Sequence, residues 1–419
     1  MITVEEARAY ILKHFQPLEP ERVHLLDALD GVLAEDVLSD INVPPFNNSA
    51  MDGYALRSDD IGGATREKPT TLRVIGDIAA GYVALKKIEP GTAMRIMTGA
   101  PMPAGADTVV RFEETSEGVE KRGAGKNRTS VEIWKAGARG DNVRNAGEDV
   151  RQGAVVLSRG NVLNAAGIGV LAMVGKKEVS VHRRPRVAVL ATGDELVSMD
   201  EPITPGKIRN SNEYSNTAAV IKAGGIPVRL GIARDNIADL TAKIRAGLDA
   251  DVDMFITSAG VSVGDYDIVK DVLGAEGEMH FWQVKMKPGK PLAFGVLRGK
   301  KPVPILGLPG NPVSSIVSFE VFARPAILTM LGKTKFTRPS VRAILENEAT
   351  NNADRRNFIR VWVEKRDGKL IARTTGEQGS GILTSIAKAN GLLTMPEDVT
   401  LIRAGTEVEI QMLDWPEFE

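Results

Sequence analysis

From residue 186 onward the chain alternates short apolar runs with amphipathic ones, and this alternation restricts the possible folds more than any other feature. RVAVLAT, IPVRLGIA, DMFITS and PVPILGL read as strands. SNEYSNTAAVIKAGG reads as a helix closed by glycine, and IADLTAKIRAGL as a second, with Ile237, Leu240, Ile244 and Leu248 at helical spacing. A strand apolar on both sides must be covered on both sides. The pattern therefore predicts a three-layer α/β/α domain around a mostly parallel sheet over residues 181–332. After PVPILGL, PGNPVSS opens a helix expected to run to about residue 331, with Asn311 as N-cap and Pro312 as its first residue. Ligands of such sheets bind beyond the carboxyl ends of the strands, in the loops that enter the helices.

The flanking segments have a different texture. From Pro44 to Ala138 short strands (TTLRVIGDI, GTAMRIM, ADTVVRFEE, TSVEIWK) alternate with Gly and Pro turns, so 44–138 is expected to be an inserted β-rich domain. Residues 1–43 and 139–180 are expected to form one discontinuous, elongated mixed domain. Thr3 and Glu6 make a capping box, and Leu25, Leu26, Leu29 and Leu33 sit at helix-like spacing, so the first forty residues are read as helical. LNAAGIGVLAMVG (163–175) is a tightly packed helix, too short to span a bilayer. Residues 333–419 return to β structure, with a DG hairpin in FIRVWVEKRDGKLIARTT, and are expected to close as a small β-barrel. The fold class is thus multidomain α/β.

Composition narrows the chemistry. With no Cys there is no thiolate metal site, disulfide or cysteine nucleophile, and the four histidines are scattered. Any metal must be a hard, oxygen-liganded ion such as Mg²⁺. A net charge of −1 gives no reason to expect nucleic acid or an anionic membrane as partner. The N-terminus lacks a basic segment followed by an apolar one, so a soluble, cytoplasmic protein is expected.

The strand ends carry the candidate chemistry. The first has Thr192, Gly193, Asp194 and Glu195, and the second Asp235. The third has Gly260, Ser262, Gly264, Asp265 and Asp267, and the last Gly310, Asn311, Ser314 and Ser315. KMKPGKP adds Lys285, Lys287 and Lys290. Each loop alone has an ordinary reading as a helix start or a solvated turn. Together on one sheet edge, the carboxylates suit Mg²⁺, while the lysines and helix amides suit a phosphate or another oxyanion. GxxxxGK[ST] is absent, no GxGxxG follows the first strand, and no GxSxG elbow stands near a histidine, which disfavours nucleotide hydrolysis by a P-loop, dinucleotide binding and a serine triad. Elsewhere, Asp52-Gly53 in PPFNNSAMDGYAL reads by itself as a hairpin turn with a solvated carboxylate.

PPFNNSAMDGYA, IMTGAPMPAGADTVV, NVRNAGEDV, ATGDEL, TSAGVSVGDYD, KMKPGKP and LPGNPVS, in this order, closely resemble molybdopterin molybdenumtransferase. This is the MoeA family of molybdenum-cofactor biosynthesis, which includes the E domain of gephyrin. The resemblance covers essentially the whole chain. It implies four domains in an elongated homodimer with a cleft shared between protomers. The implied reaction is Mg²⁺-dependent insertion of molybdate into adenylylated molybdopterin with release of AMP. Carried over by motif, Asp52 and Thr98 line the cleft from the inserted domain, and Arg144 and Asp149 belong to the discontinuous domain. Glu195, Asp235 and Asp267 are the sheet carboxylates, with Asp52, Glu195 and Asp267 as the metal ligands. Lys287, Lys290 and Ser314 hold the oxyanion, with Arg355 or Arg360 and Ser380 from the last domain; Gly260, Ser262 and Asn311 contact substrate. Gln283 follows Trp282 where some relatives have lysine, so either Lys285 substitutes or that contact is absent. A tungstate-inserting paralogue, a gephyrin-like scaffold and a molybdopterin adenylyltransferase are the alternative readings.

Overall fold

The computed structural model describes residues 1–118, 128–258, 272, 274–352 and 354–414. They form two compact units, one of Met1–Val23, Asp30–Ala34 and Ser180–Glu419, the other of His24–Leu29 and Glu35–Val179. The finer four-domain division remains our proposal.

The larger unit is built on a six-stranded sheet. Its strands lie in the order Ile226–Ala233, Arg186–Thr192, Met254–Ser258, Pro302–Leu308, Pro291–Arg298 and Gly277–Gln283. The first four run parallel; Pro291–Arg298 runs antiparallel to its neighbours on both sides, so Gly277–Gln283 has the direction of the first four. Side-chain alternation sorts the apolar residues into two layers. Val187, Val189, Met254, Ile256 and Leu306 join a core completed by helices Val4–Leu12 and Pro312–Ser318 and the turns beyond it. Ala188, Leu190, Phe255 and Ile305 pack with Leu240 and Ile244 of helix Ile237–Asp249. This is the expected three-layer arrangement. The hairpin 277–298 was not anticipated as part of the sheet. Its second strand, PLAFGVLR, follows directly on the KPGK turn, which hid it.

After Asn311 the helix runs Pro312–Ser318, passes through a π-helical turn at Phe319–Ala323 and resumes as Arg324–Met330. Pro325 explains the wider turn. It has no N–H to donate and its ring would clash with the carbonyl of a regular preceding turn. The stretch is long and apolar enough to cross a membrane, but most of it is buried in this unit.

Beyond it, strands Ser340–Leu345, Arg356–Arg366, Lys369–Thr374, Gly391–Met395 and Glu407–Met412 pair in a ring, closing the expected small barrel. The hairpin turn at Asp367 and Gly368 has positive φ at both residues, as a tight Asp-Gly turn requires.

Two expectations are corrected. The first forty residues are not continuously helical. Helix Val4–Leu12, with its Thr3–Glu6 capping box, is followed by strand Pro20–His24 and a short 3₁₀ turn at Leu25–Ala28. Leu26 and Leu29 are exposed while Leu33 is buried, so these leucines share no face. Nor is Asp52-Gly53 a hairpin apex. Gly53 begins strand Gly53–Leu56 inside the five-stranded sheet of the smaller unit. A Cβ there would lie 2.0 Å from the Val110 carbonyl oxygen, so close approach of the neighbouring strand requires the glycine. That sheet is pinned by buried Glu117, which accepts from the Tyr54 hydroxyl at 2.6 Å and from Arg95 at 2.8 Å. The loss of solvent there pushes the Tyr54 hydroxyl pKa above its ordinary value, with the Glu117 hydrogen bond acting in the same sense.

The amino ends of the parallel strands are locked by charge. Asp253 accepts two 2.7 Å bonds from the Arg183 guanidinium, one of 2.9 Å from the Arg186 N–H and one of 3.0 Å from Lys301. Burial alone would push its carboxyl up, but these bonds outweigh burial and hold it below the usual carboxylate range. A carboxyl lowered by folding stabilises above its unfolded pKa, about 3.9, and loses that contribution as pH falls through the lower folded value. Asp253→Ala is therefore expected to cost about 3–5 kcal/mol at pH 7, read as a lower urea midpoint. The gap from wild type should narrow at acid pH.

Candidate functional site

At the carboxyl edge of the same sheet, a cavity of about 830 Å³ opens between three segments of the larger unit. The first is the 286–291 loop, which brings Lys287 and Lys290. Its strand Met286–Lys287 pairs with Arg356 and Asn357 of the barrel, which follow the lining Arg355 in sequence. The second is the start of the helix after the fourth parallel strand, with Gly310, Asn311 and the buried Ser314. The third is the 378–380 loop, with Gln378 and Ser380. Glu195 closes the mouth.

The charge balance is lopsided. Among the described residues Lys287, Lys290 and Arg355 meet one lining carboxylate, Glu195. The two lysines are half-buried and make no ion pair within 4 Å among the described residues. A cavity of this kind attracts an oxyanion, because charge-assisted hydrogen bonds in a partly water-excluded site are roughly twice as strong as neutral ones.

The helix start is also unusual. Asn164, Asn210 and Asn236 each cap their helix by accepting a backbone N–H. Asn311 holds the cap position in an extended conformation, but its side chain makes no such bond. The Val313 N–H is not free, since it donates to the Ser380 carbonyl at 3.1 Å, tying the helix start to the barrel loop. Arg360 holds that loop from behind. It is fully buried and donates to the Gly379 carbonyl and the Ser385 hydroxyl, both at 3.2 Å. With no carboxylate among its bonded partners in the described residues, burial pushes its guanidinium down to about 10, still charged at neutral pH. Of the two candidate arginines, Arg355 therefore lines the cavity and Arg360 lies beneath its wall.

The structure thus brings together Glu195, Lys287, Lys290, Asn311, Ser314, Arg355 and Ser380. Asp235 does not line the cavity. It and Asp194 each accept the other's backbone N–H at 3.2 Å, one residue from Glu195. Lys285, the candidate substitute for the missing lysine, is not among the residues lining this cavity, and its ammonium pairs with Asp354 at 3.3 Å. Gly260, Ser262 and Asp267 lie outside the described residues.

Asp52, Thr98, Arg144 and Asp149 belong to the smaller unit. Asp52 accepts from the Thr98 N–H at 2.7 Å and its hydroxyl at 2.8 Å, so these two side chains meet on an exposed surface. Arg144 pairs with Asn48 on an adjoining segment, and the Asp149 N–H donates to the Val43 carbonyl. Sequence reading missed Gln378 and the supporting role of Arg360. Nothing in the local pattern of either points to a site.

The carboxylate oxygens of Glu195 are of the kind a hard ion such as Mg²⁺ takes. Among the described residues no group of three metal-ligating side chains is assembled.

Three family models account for nearly the whole chain. Residues 2–175 match the MoeA N-terminal region (domains I and II), 188–329 a probable molybdopterin binding domain, and 342–413 the MoeA C-terminal region (domain IV). Molybdopterin molybdenumtransferase 2 of Mycobacterium tuberculosis (strain H37Rv) is 39% identical over 417 residues, covering 98% of this chain and 99% of that protein. The molybdopterin molybdenumtransferase of Bacillus subtilis (strain 168) is 35% identical over 425 residues, covering 99% and 96%. The crystal structure of the molybdopterin biosynthesis MoeA protein from Pyrococcus horikoshii OT3 superposes with a TM-score of 0.81 at 30% identity, covering 98% of this chain and all of that one. The chain belongs to the MoeA family, whose members are enzymes of molybdenum-cofactor biosynthesis.

Gly289 sits at the centre of the lysine loop with φ +105°, where a Cβ would lie 2.6 Å from the buried Ser318 hydroxyl and 2.9 Å from Met286 Cε. Gly289→Ala should strain the loop by about 1–3 kcal/mol. Titration calorimetry with molybdate is expected to show binding weakened at least ~10-fold, roughly the 1.4 kcal/mol of one displaced cationic contact.

Proposed function

We propose that the chain is a molybdopterin molybdenumtransferase that inserts molybdate into adenylylated molybdopterin with release of AMP. The observation that carries this reading is the convergence of Lys287, Lys290 and Arg355, with the Ser314 and Ser380 side chains, on one cavity beside Glu195. A tetrahedral dianion presents four acceptor oxygens and no donors, which matches a wall made of cations and hydroxyls. Each charge-assisted bond is worth about 1.5–3 kcal/mol net, so three or four suffice to bind a small oxyanion.

In this reading Lys287, Lys290, Ser314, Arg355 and Ser380 hold the oxyanion, and Arg360 keeps the 378–380 loop in place. Asn311 and Asp235, with Gly260 and Ser262, contact the rest of the substrate. Asp52, Thr98, Arg144 and Asp149 complete the site, in a homodimer whose cleft is shared between protomers. Mg²⁺ would be held by Asp52, Glu195 and Asp267, and when bound it neutralises charge on the leaving phosphate. The carboxylates themselves orient that charge and exclude a second anion from the nucleotide side. The compartment proposed is the cytoplasm.

The test is incubation with adenylylated molybdopterin and Mg²⁺, with molybdate or tungstate, following AMP release. Release that depends on both Mg²⁺ and oxyanion is expected, and comparing the two oxyanions sets the metal preference. Asp52→Ala and Glu195→Ala should each lower the rate by at least ~10²-fold, the scale for losing one preorganised electrostatic group, with unchanged circular dichroism. Unaltered turnover in both variants, or partner-peptide binding without turnover, would remove this assignment.

A further inference from the structure

Helix Ser211–Lys222 carries asparagines at 212 and 216, four residues apart and so on one face. Both reach across to the start of the helix that walls the cavity. The Asn212 side-chain N–H donates to the Gly310 carbonyl at 2.7 Å. One turn on, Asn216, fully buried, donates to the Ser315 hydroxyl at 3.1 Å. Neither asparagine lines the cavity, yet Gly310 does, and Ser315 is the neighbour of the lining Ser314.

The Asn212 contact leaves an unsatisfied group behind. Its Oδ1 is buried with no hydrogen-bond partner among the described residues, a loss of stability that an apolar side chain of the same size would avoid. Local packing therefore does not account for an amide here. The other end of the bond does. In a planar trans peptide the C=O and the following N–H point in opposite directions. Holding the Gly310 carbonyl toward Asn212 turns the Asn311 N–H away from Asn212. That N–H makes no hydrogen bond among the described residues, and Asn311 lines the cavity. If the peptide were free to flip, the Gly310 carbonyl would present a negative dipole to a bound anion in place of a donor.

We propose that Asn212 is a positioning residue that locks the Gly310–Asn311 peptide so that the Asn311 N–H serves the oxyanion, while Asn216, through Ser315, holds the same helix start in register. This rests on the reading of the cavity as the oxyanion site. The Gly310 loop contains two prolines and no side chain of its own that caps the helix, so its orientation is supplied from outside by the amide.

The test uses the full chain with molybdate alone as probe, by titration calorimetry, and then turnover with adenylylated molybdopterin. Asn212→Asp keeps the shape and replaces the donor with an acceptor facing the Gly310 carbonyl. It should weaken molybdate binding at least ~10-fold and raise the KM for molybdate more than it lowers kcat. Asn212→Leu removes both the donor and the stranded oxygen. It should lose molybdate affinity to a similar extent while unfolding at or above the wild-type temperature. Asn212→Gln, which retains the amide, should recover part of the affinity. Wild-type molybdate binding in both the Asp and Leu variants overturns the proposal, and so does an Asn212→Leu that unfolds well below wild type, since Asn212 would then be structural. Lys287→Ala separates the two readings. If it leaves molybdate binding intact, the cavity assignment falls and takes the positioning role with it. If it abolishes binding while the Asn212 variants do not, the positioning role alone is wrong.

Discussion

Three cations that line one cavity with a single carboxylate among the described residues repel, and the architecture of the larger unit can be understood as the support that confines them. Lys287 and Lys290 come from a Pro- and Gly-bounded loop, and Arg355 from the entry to a barrel strand. They come together because the short strand Met286–Lys287 pairs in register with Arg356 and Asn357. A second tie, from the Val313 N–H to the Ser380 carbonyl, fastens the helix start to the barrel. Without these backbone bonds, side chains as long as lysine and arginine would spread into water. An anion relieves the repulsion, so binding and local order reinforce each other.

The two edges of the parallel sheet use charge in opposite ways. At the amino ends Asp253, Arg183 and Lys301 neutralise one another around a buried carboxylate, and the result is rigidity. At the carboxyl ends Lys287 and Lys290 make no ion pair among the described residues, and a ligand can supply an anion. Arg360 lies between these extremes. It is a buried cation satisfied by a carbonyl and a hydroxyl instead of a carboxylate, which leaves it short of negative charge just behind the cavity wall. A sheet covered on both faces has only its strand ends open to solvent, so this division of labour follows from the topology.

Much of the larger unit could be read locally. The apolar strands, the helices at 211–222 and 237–249, and the DG hairpin of the barrel carry their own periodicity and turn chemistry. The misreadings share one cause. Leu25, Leu26, Leu29 and Leu33 have the spacing of a helix but not the burial of one, and Asp52-Gly53 has the composition of a turn but lies at a strand start. In each case the deciding contact, such as the Val110 carbonyl against Gly53, comes from a residue distant in sequence. Gln378 and the supporting role of Arg360 were invisible for the same reason, because each acts by touching a segment that the local pattern does not name.

Residue order alone settled which chemical groups this protein can deploy, the strands and helices that alternate through the parallel part of the sheet, and that lysines and acids gather at loop positions following buried strands. Those properties depend on neighbours within a few positions. Folding settled which of those groups share a cavity: Arg355 and not Arg360, Glu195 and not Asp235, Lys287 and Lys290 and not Lys285. Strand pairing and layer packing bring together residues tens to hundreds of positions apart, and no local pattern encodes the distance between them.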